Sequence, residues 1–442
     1  MIPSIVFNDS KASVRYGKLI YYCLLGYIVS LYIKNAPVLS NGLMIILVGL
    51  AFISVKPRNY LGLFASQKIN SGIMLFFVYE MISVIFSIDK TSGFNILSMR
   101  LPLFIFPCAF CLINFEGKTW KKILVFYVIT TVVASMVGFV YGTYRVIHES
   151  NTAYFYNDNI SELLLGKQAA YFGLYVNVAI LSCIYILRDR KKNKDNSNAF
   201  FYVSIAWLLF INYMLASKMS TISIVGIIIC IAFVNIVRNK KILEGLILVF
   251  GLLIGAVMLN NMFPNTFNRF KTINQTGFRF DNTNPENSLD TKFDSAKWSS
   301  GSTRMALWTC GKEMFIKHPF FGTGLGDIRN SLKEKYAEKH FEYALNTNKN
   351  LHCQYVDIAV SMGAIGLLLF LFFFFVYPIK TFISNGQDFA ASIFICVGLC
   401  LLTENMFDRL QGEEIIALIL PLSIKLFDRK EEVAIDYRQG TY

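Results

Sequence analysis

Long uninterrupted apolar runs constrain this chain more than any other feature. They lie near 17–33, 39–55, 71–88, 97–115, 122–141, 168–187, 199–216, 220–237, 242–260, 351–377, 388–403 and 413–427. Each is close to the length of a membrane-crossing helix, because a hydrocarbon layer of about 30 Å takes about 20 apolar residues. No soluble core could hide so many. Composition agrees: of 442 residues, 55% are hydrophobic and 16% charged, with a mean hydropathy of +0.48. The expected class is an all-α, polytopic integral membrane protein of about 12 transmembrane helices. One long polar loop interrupts them, which divides the chain into helices 1–9 (residues 1–260), the loop (261–350), helices 10–12 (351–428) and a tail (429–442).

A net charge of +13 could suggest nucleic acid, but the cations are not clustered as a nucleic-acid site would be. They gather in short connections: Lys56 and Arg58; Lys118, Lys121 and Lys122; the run from Arg188 to Lys194; Arg238, Lys240 and Lys241; and the tail from Arg429. With twelve spans all of these fall on one face, as positive-inside sorting requires. Both termini are then cytoplasmic, and the first span, preceded by Lys11, Arg15 and Lys18, reads as a signal anchor. The long loop, the 142–167 loop, Lys218 and the 404–412 turn share the outward face.

The rest of the chain excludes several classes. No internal repeat, no pair of Gly/Pro-broken helices and no P-loop is visible, so the spans are expected to be continuous and ATP is not the energy source. Most of the nine cysteines lie inside spans and read as small buried apolar residues. Cys310 and Cys353 are either a pair or two free thiols. Within the loop, residues 261–300 are rich in Asn, Thr, Ser and Asp and predict irregular structure. Residues 303–317 have a helical period with Ser302 or Thr303 as N-cap. His318-Pro319 ends that helix, Gly322-Thr323-Gly324-Leu325-Gly326 makes a tight turn, and 328–343 predicts a charged amphipathic helix. The two helices are expected to lie on the outer membrane surface and roof a cavity.

Ionisable residues beside that roof are the candidates for chemistry. His352 opens a very apolar span at the water interface, where an imidazole titrates near neutral pH; it is a general base or a helix-capping histidine. Arg100, placed just inside the outer end of the fourth span, is a phosphate clamp or a snorkelling side chain. Lys218, at an outward turn, holds a second phosphate oxygen or is an ordinary turn lysine. Arg304, at a helix start that itself favours anions, is a third anion contact or a solvated charge. Glu404, Asp408 and Arg409 contact substrate or pair with loop charges. Together, three cations and one imidazole at one face suit a lipid diphosphate. A transporter would need an acid near mid-membrane, for which Glu80 is the candidate.

Arg304-x-x-x-Trp308, followed by His318-Pro319-Phe320-Phe321-Gly322-Thr323-Gly324-Leu325-Gly326, resembles the signature of the O-antigen ligase/polymerase superfamily. His352-Cys353-Gln354-Tyr355 with Ser361-Met362-Gly363-Ala364-Ile365-Gly366 is similar to its second element, and Glu404 falls where the family often has an acid. The resemblance implies a glycosyltransferase of the bacterial inner membrane that uses no metal or other cofactor. Its donor would be a glycan on undecaprenyl diphosphate, taken at the periplasmic face. Its acceptor would be a lipid A–core sugar for a ligase, or another lipid-linked glycan for a polymerase; a protein O-oligosaccharyltransferase is a third form. By carry-over, His352 assists the acceptor hydroxyl, while Arg100, Lys218 and Arg304 hold the diphosphate. Two positions depart from the pattern. Lys218 stands where the family usually has arginine, losing the planar fork, and Cys353 stands where it has asparagine.

Overall fold

The computed structural model describes residues 11–192, 198–239, 242–262, 277–281 and 298–426. Most of the polar 261–300 stretch, Lys194, Lys240, Lys241 and the 429–442 tail lie outside the described residues. The helices that follow the expected spans are α1 (Lys11–Ser30), α2 (Pro37–Ser54), α4 (Lys68–Phe86), α5 and α6 (Lys90–Arg100, Pro102–Leu112), α7 (Gly117–Glu149), α9 (Ala169–Lys192), α10 (Ala199–Leu215), α11 (Lys218–Asn239) and α12 (Ile242–Met262). Short α3 (Tyr60–Ser66) and α8 (Asp158–Leu165) lie between them. No strand occurs among the described residues. The loop contributes α13 (Ser300–Lys317), α14 (Ile328–Glu338) and α15 (Glu342–Asn346), and the chain closes with α16 (Gln354–Leu371), α17 (Tyr377–Ser384), α18 (Asp388–Cys400) and α19 (Leu410–Lys425).

The fold is a polytopic all-α membrane protein. Backbone polar groups in lipid must be paired within their own segment, which selects helices. Among the described residues, six helical stretches are each long and apolar enough to cross alone: Pro37–Ser54, Lys68–Phe86, Lys90–Leu112, Gly117–Glu149, Ala169–Lys191 and Gln354–Ser384. Others are shorter; α18, at 13 residues, rises only about 20 Å. Large apolar side chains stay exposed along α2 (Ile45, Ile53), α4 (Ile82, Ile85), α7 (Val133, Val140) and α12 (Ile247, Phe250, Leu253). Such a belt is what lipid covers. Helices α9 and α19 run through the interior, where Phe172, Val176, Ile180, Ile416 and Leu420 are almost fully buried.

At one end Lys121 of α7 pairs with Asp189 of α9, and Arg188 lies 3.7 Å from Asp388 of α18. At the other end the four segments expected on the outward face meet around one cavity.

Three expectations are corrected. The fourth span begins at Lys90, capped by Asp89, whose carboxylate accepts from Ser92 N at 2.9 Å. Arg100 is therefore ten residues into a stretch of 23, at mid-span rather than near its outer end. Pro102 at the start of α6 marks the joint behind it.

The tenth span is not continuous. Gly363 adopts φ 67°, ψ −169°, a conformation open essentially to glycine alone. The loop segment 319–324 seals the break: Thr323 N donates to Val360 O at 2.9 Å and Gly324 N to Ser361 O at 2.9 Å. In return Ala364 N donates to Pro319 O at 2.8 Å and Ile365 N to Phe320 O at 3.3 Å. A Cβ on Gly322 would sit 2.4 Å from the Ser361 carbonyl carbon, and one on Gly363 2.2 Å from Phe320 O. The two glycine motifs are halves of one seam.

The charged loop helix stops at Glu338, not 343. His340 turns left-handed (φ 53°), and Phe341 N bonds back to Tyr336 O at 2.8 Å. This carries the Phe341 ring into full burial, 4.8 Å from Trp298. Burying that ring outweighs one more turn of polar helix.

Candidate functional site

A cavity of about 650 Å³ opens where α9, α11 and α13 begin. Its wall includes Gln168, Ala169 and Ala170; Ser217, Lys218 and Met219; and Ser300, Gly301 and Arg304, which are the first residues of those three helices with their flanks. The first turns of a helix carry unpaired N–H groups and partial positive charge. Chain chemistry sets each start. Ala216 turns left-handed (φ 49°) between α10 and α11, and Ser299 caps α13 in a reciprocal pair with Ser302. Asp158 accepts from Ala169 N at 2.6 Å and so caps α9 from a distance. Its neighbour Asn157 is held at φ 58°, ψ −139°, with its N–H on Met214 O at 3.1 Å.

His352, Glu404, Trp308 and Tyr343 complete the wall. His352 too is left-handed (φ 47°), with its N–H 3.2 Å from Asn350 Oδ1. Trp308 donates from Nε1 to Leu351 O at 3.0 Å and fixes the residue before it. The imidazole Nδ1 lies 3.4 Å from Glu404 Oε2. The other oxygen, Oε1, accepts from Arg304 Nη2 at 3.0 Å. Arg304 also reaches Thr403 O from Nε and Ser300 O from Nη1, each at 3.3 Å. Lys218 Nζ is 3.4 Å from Ser300 Oγ.

Burial pushes the Glu404 carboxyl up, but the His352 ring and the Arg304 guanidinium outweigh it and hold it below the usual carboxylate range. An ionised Glu404 facing Nδ1 selects the tautomer with its proton there. Nε2 is then left as an acceptor toward the cavity. The site can take a proton at one point while offering cationic side chains and helix N-termini to an anion at another.

Four of the five candidate residues, His352, Lys218, Arg304 and Glu404, meet in this cavity. Arg100 does not line it. It is 1% exposed and bonded to Glu80 at 2.6 Å and Asp408 at 2.7 Å, with Asp357 at 3.5 Å. A guanidinium already facing three carboxylates is a poor phosphate clamp, so that expectation does not fit its placement. The same pairing accounts for Glu80, the acid a transport reading would need. Glu404 takes the ion-pair reading rather than open contact with substrate, and Cys310 and Cys353 are both buried free thiols.

Sequence reasoning missed Asn157, Asp158 and Gln168, which sit in a polar connection with no periodicity. It also missed Asp357 as Arg100's partner; an aspartate inside an otherwise apolar span was the available signal. Among the described residues no group of three His, Cys, Asp or Glu side chains is placed to hold a metal ion.

Residues 203–371 match the family model described as O-antigen ligase. The match takes in Lys218, Arg304, the glycine seam and His352, so the stretch that builds much of the cavity is similar to that family's model. No curated protein matches the chain.

Proposed function

We propose that this protein is a ligase that moves a glycan from undecaprenyl diphosphate to a lipid A–core sugar, at the periplasmic face of the bacterial inner membrane. Both termini are then cytoplasmic and the long loop periplasmic. The single observation that carries the reading is the His352–Glu404–Arg304 chain, set with Lys218 in one cavity among three helix starts.

The chemistry follows from that arrangement. The acceptor hydroxyl oxygen attacks the anomeric carbon of the donor's first sugar, and its proton passes to His352 Nε2. The bond from that carbon to the diphosphate oxygen breaks, releasing undecaprenyl diphosphate. Glu404 stabilises the imidazolium that forms. Lys218, Arg304 and the helix N-termini meet the charge that develops on the leaving group, where preorganised donors act most strongly. General-base assistance is worth about 10²–10⁴-fold.

The test uses the native host with its own copy deleted, complemented with wild type or His352→Ala at equal expression. Lipopolysaccharide is examined by gel and the lipid-linked pool by extraction. A ligase deletion leaves core without a polymer ladder while long glycan accumulates on the carrier, and His352→Ala reproduces it. Single repeat units on the core would make the protein a polymerase instead. If deletion changes neither pool, glycan transfer is the wrong reading.

A further inference from the structure

Arg100 is too deep to touch substrate, yet its partners lead to the cavity. Two short segments carry the imidazole–carboxylate pair: 352–357, which enters α16, and 401–408, the turn before α19. They are laced together along their length. Gln354 N donates to Leu401 O at 3.0 Å, and Phe407 N donates to Gln354 Oε1 at 3.0 Å. Asn405 Nδ2 reaches Asp408 Oδ2 at 3.3 Å. At the cavity end of this ladder stand His352 and Glu404, 3.4 Å apart. At its buried end stand Asp357 and Asp408, and one nitrogen of Arg100, Nη2, bridges them. The other, Nη1, is bonded to Glu80 on α4, a helix outside the ladder. The guanidinium also lies over the Phe407 ring, 5.9 Å from its centroid.

We infer that Arg100 is a positioning residue. It clamps the buried ends of the 352–357 and 401–408 segments against α4 and thereby sets the distance and angle between His352 and Glu404. The inference rests on His352 being the base. Burying Arg100, Glu80 and Asp357 together is a poor way to gain stability, since apolar packing of similar volume commonly does as well or better. What the cluster supplies instead is fixed geometry: a planar fork with rigid donors specifies where each carboxylate must stand. His352 needs such help, because its left-handed backbone is strained and its contact to Glu404 is long. An ångström of play at that contact moves the acceptor nitrogen out of line with the attacking hydroxyl.

A positioning role and a phosphate-binding role differ in kinetics. With purified protein, lipid-linked glycan as donor and rough lipopolysaccharide as acceptor, Asp408→Asn and Arg100→Lys are compared with wild type and His352→Ala. Asp408→Asn keeps shape and an acceptor oxygen but loses the charge, on a side chain exposed enough to tolerate it (18%). Arg100→Lys keeps the charge and loses the fork. Both are expected to lower kcat about tenfold, the effect of weakening one charge-assisted hydrogen bond, with the donor KM and the unfolding midpoint of Asp408→Asn unchanged. Arg100→Ala should fall further, and Arg100→Lys should recover part of that loss. Wild-type kcat in both conservative variants, with His352→Ala inactive, overturns the positioning role alone. A raised donor KM at unchanged kcat also overturns it, in favour of anion binding. Full activity in His352→Ala removes the base and the inference with it.

Discussion

The glycine seam and the cavity are neighbours in sequence and opposites in construction. Between 319–324 and 360–365 the contacts are backbone to backbone at 2.8–3.3 Å, and the glycines leave no room for one added carbon. Around His352 and Glu404 the contacts are side chain to side chain at 3.0–3.4 Å, on half-buried residues, beside open volume. The stretch that matches the family model runs through both. The glycines lock the loop into a broken helix, while His352 and Arg304 keep longer side-chain contacts beside open volume. A motif residue is thus no guide by itself to chemistry; how its contacts are satisfied is.

The largest effect is expected where the seam is tightest. Gly363→Ala places Cβ 2.2 Å from Phe320 O at φ 67°. That backbone conformation, open essentially to glycine, costs another residue roughly 1–3 kcal/mol. Losing the two bonds at Ala364 and Ile365 adds about 1 kcal/mol each. Loss of folded protein, or a much lowered unfolding midpoint in detergent, is the expected result. A wild-type midpoint would mean the seam does not hold the loop, and the contrast with the cavity would fail.

Next comes the cavity, where function should fall while the fold stands. Glu404→Gln keeps size but removes the charge shared by His352 and Arg304. The charged hydrogen bonds lost are worth about 1.5–3 kcal/mol, or roughly ten- to a hundredfold in turnover. The pH dependence has a definite sign. Because the carboxyl is held below its usual range, its stabilisation is complete above the unfolded value near pH 4.3. It is lost only as pH falls through the lower folded value. The difference in unfolding midpoint between wild type and Glu404→Gln should therefore be full at about pH 5 and shrink in stronger acid. A difference that fades already near neutral pH would show that Glu404 is not ionised beside its partners.

What was legible in the sequence follows the same division. Every expected span has a helix, because apolar length and period are local properties. The start of α5 was not legible, since Lys90-Thr91-Ser92-Gly93 is polar and hydropathy sees only the apolar half of that span. The error hid the first seven residues of the span, from Lys90, and changed the apparent role of Arg100. The break at Gly363 was hidden in an apolar run, because the residues that pair with it are some forty positions earlier. Charge type picked four cavity residues correctly as neighbours. The pairing of His352 with Glu404, 52 residues apart, is tertiary and has no local trace. Neither has the Asn157–Asp158 wall, whose strain and capping depend on where α9 and α10 end up.

The smallest effect is expected on the far side of the loop, at the exposed edge of a charge cluster whose centre, Lys335, is buried. Lys335 bonds Glu313 at 2.6 Å and Glu338 at 2.8 Å, and Lys339 bonds Glu313 at 2.7 Å. Lys317 reaches Glu338 at 4.0 Å with both side chains more than half exposed. Water screens that last pair, and ordering two long side chains offsets most of its attraction. Lys317→Ala should change neither the unfolding midpoint nor transfer activity. If activity fell, the outer face of the loop would be contacting acceptor or a partner, and charge there would belong with the cavity rather than with the solvated surface. Charge in cavity and at surface, with unequal consequence, is the sharpest form of the comparison: burial and partner geometry, not the number of ionisable residues, decide which cluster does chemistry.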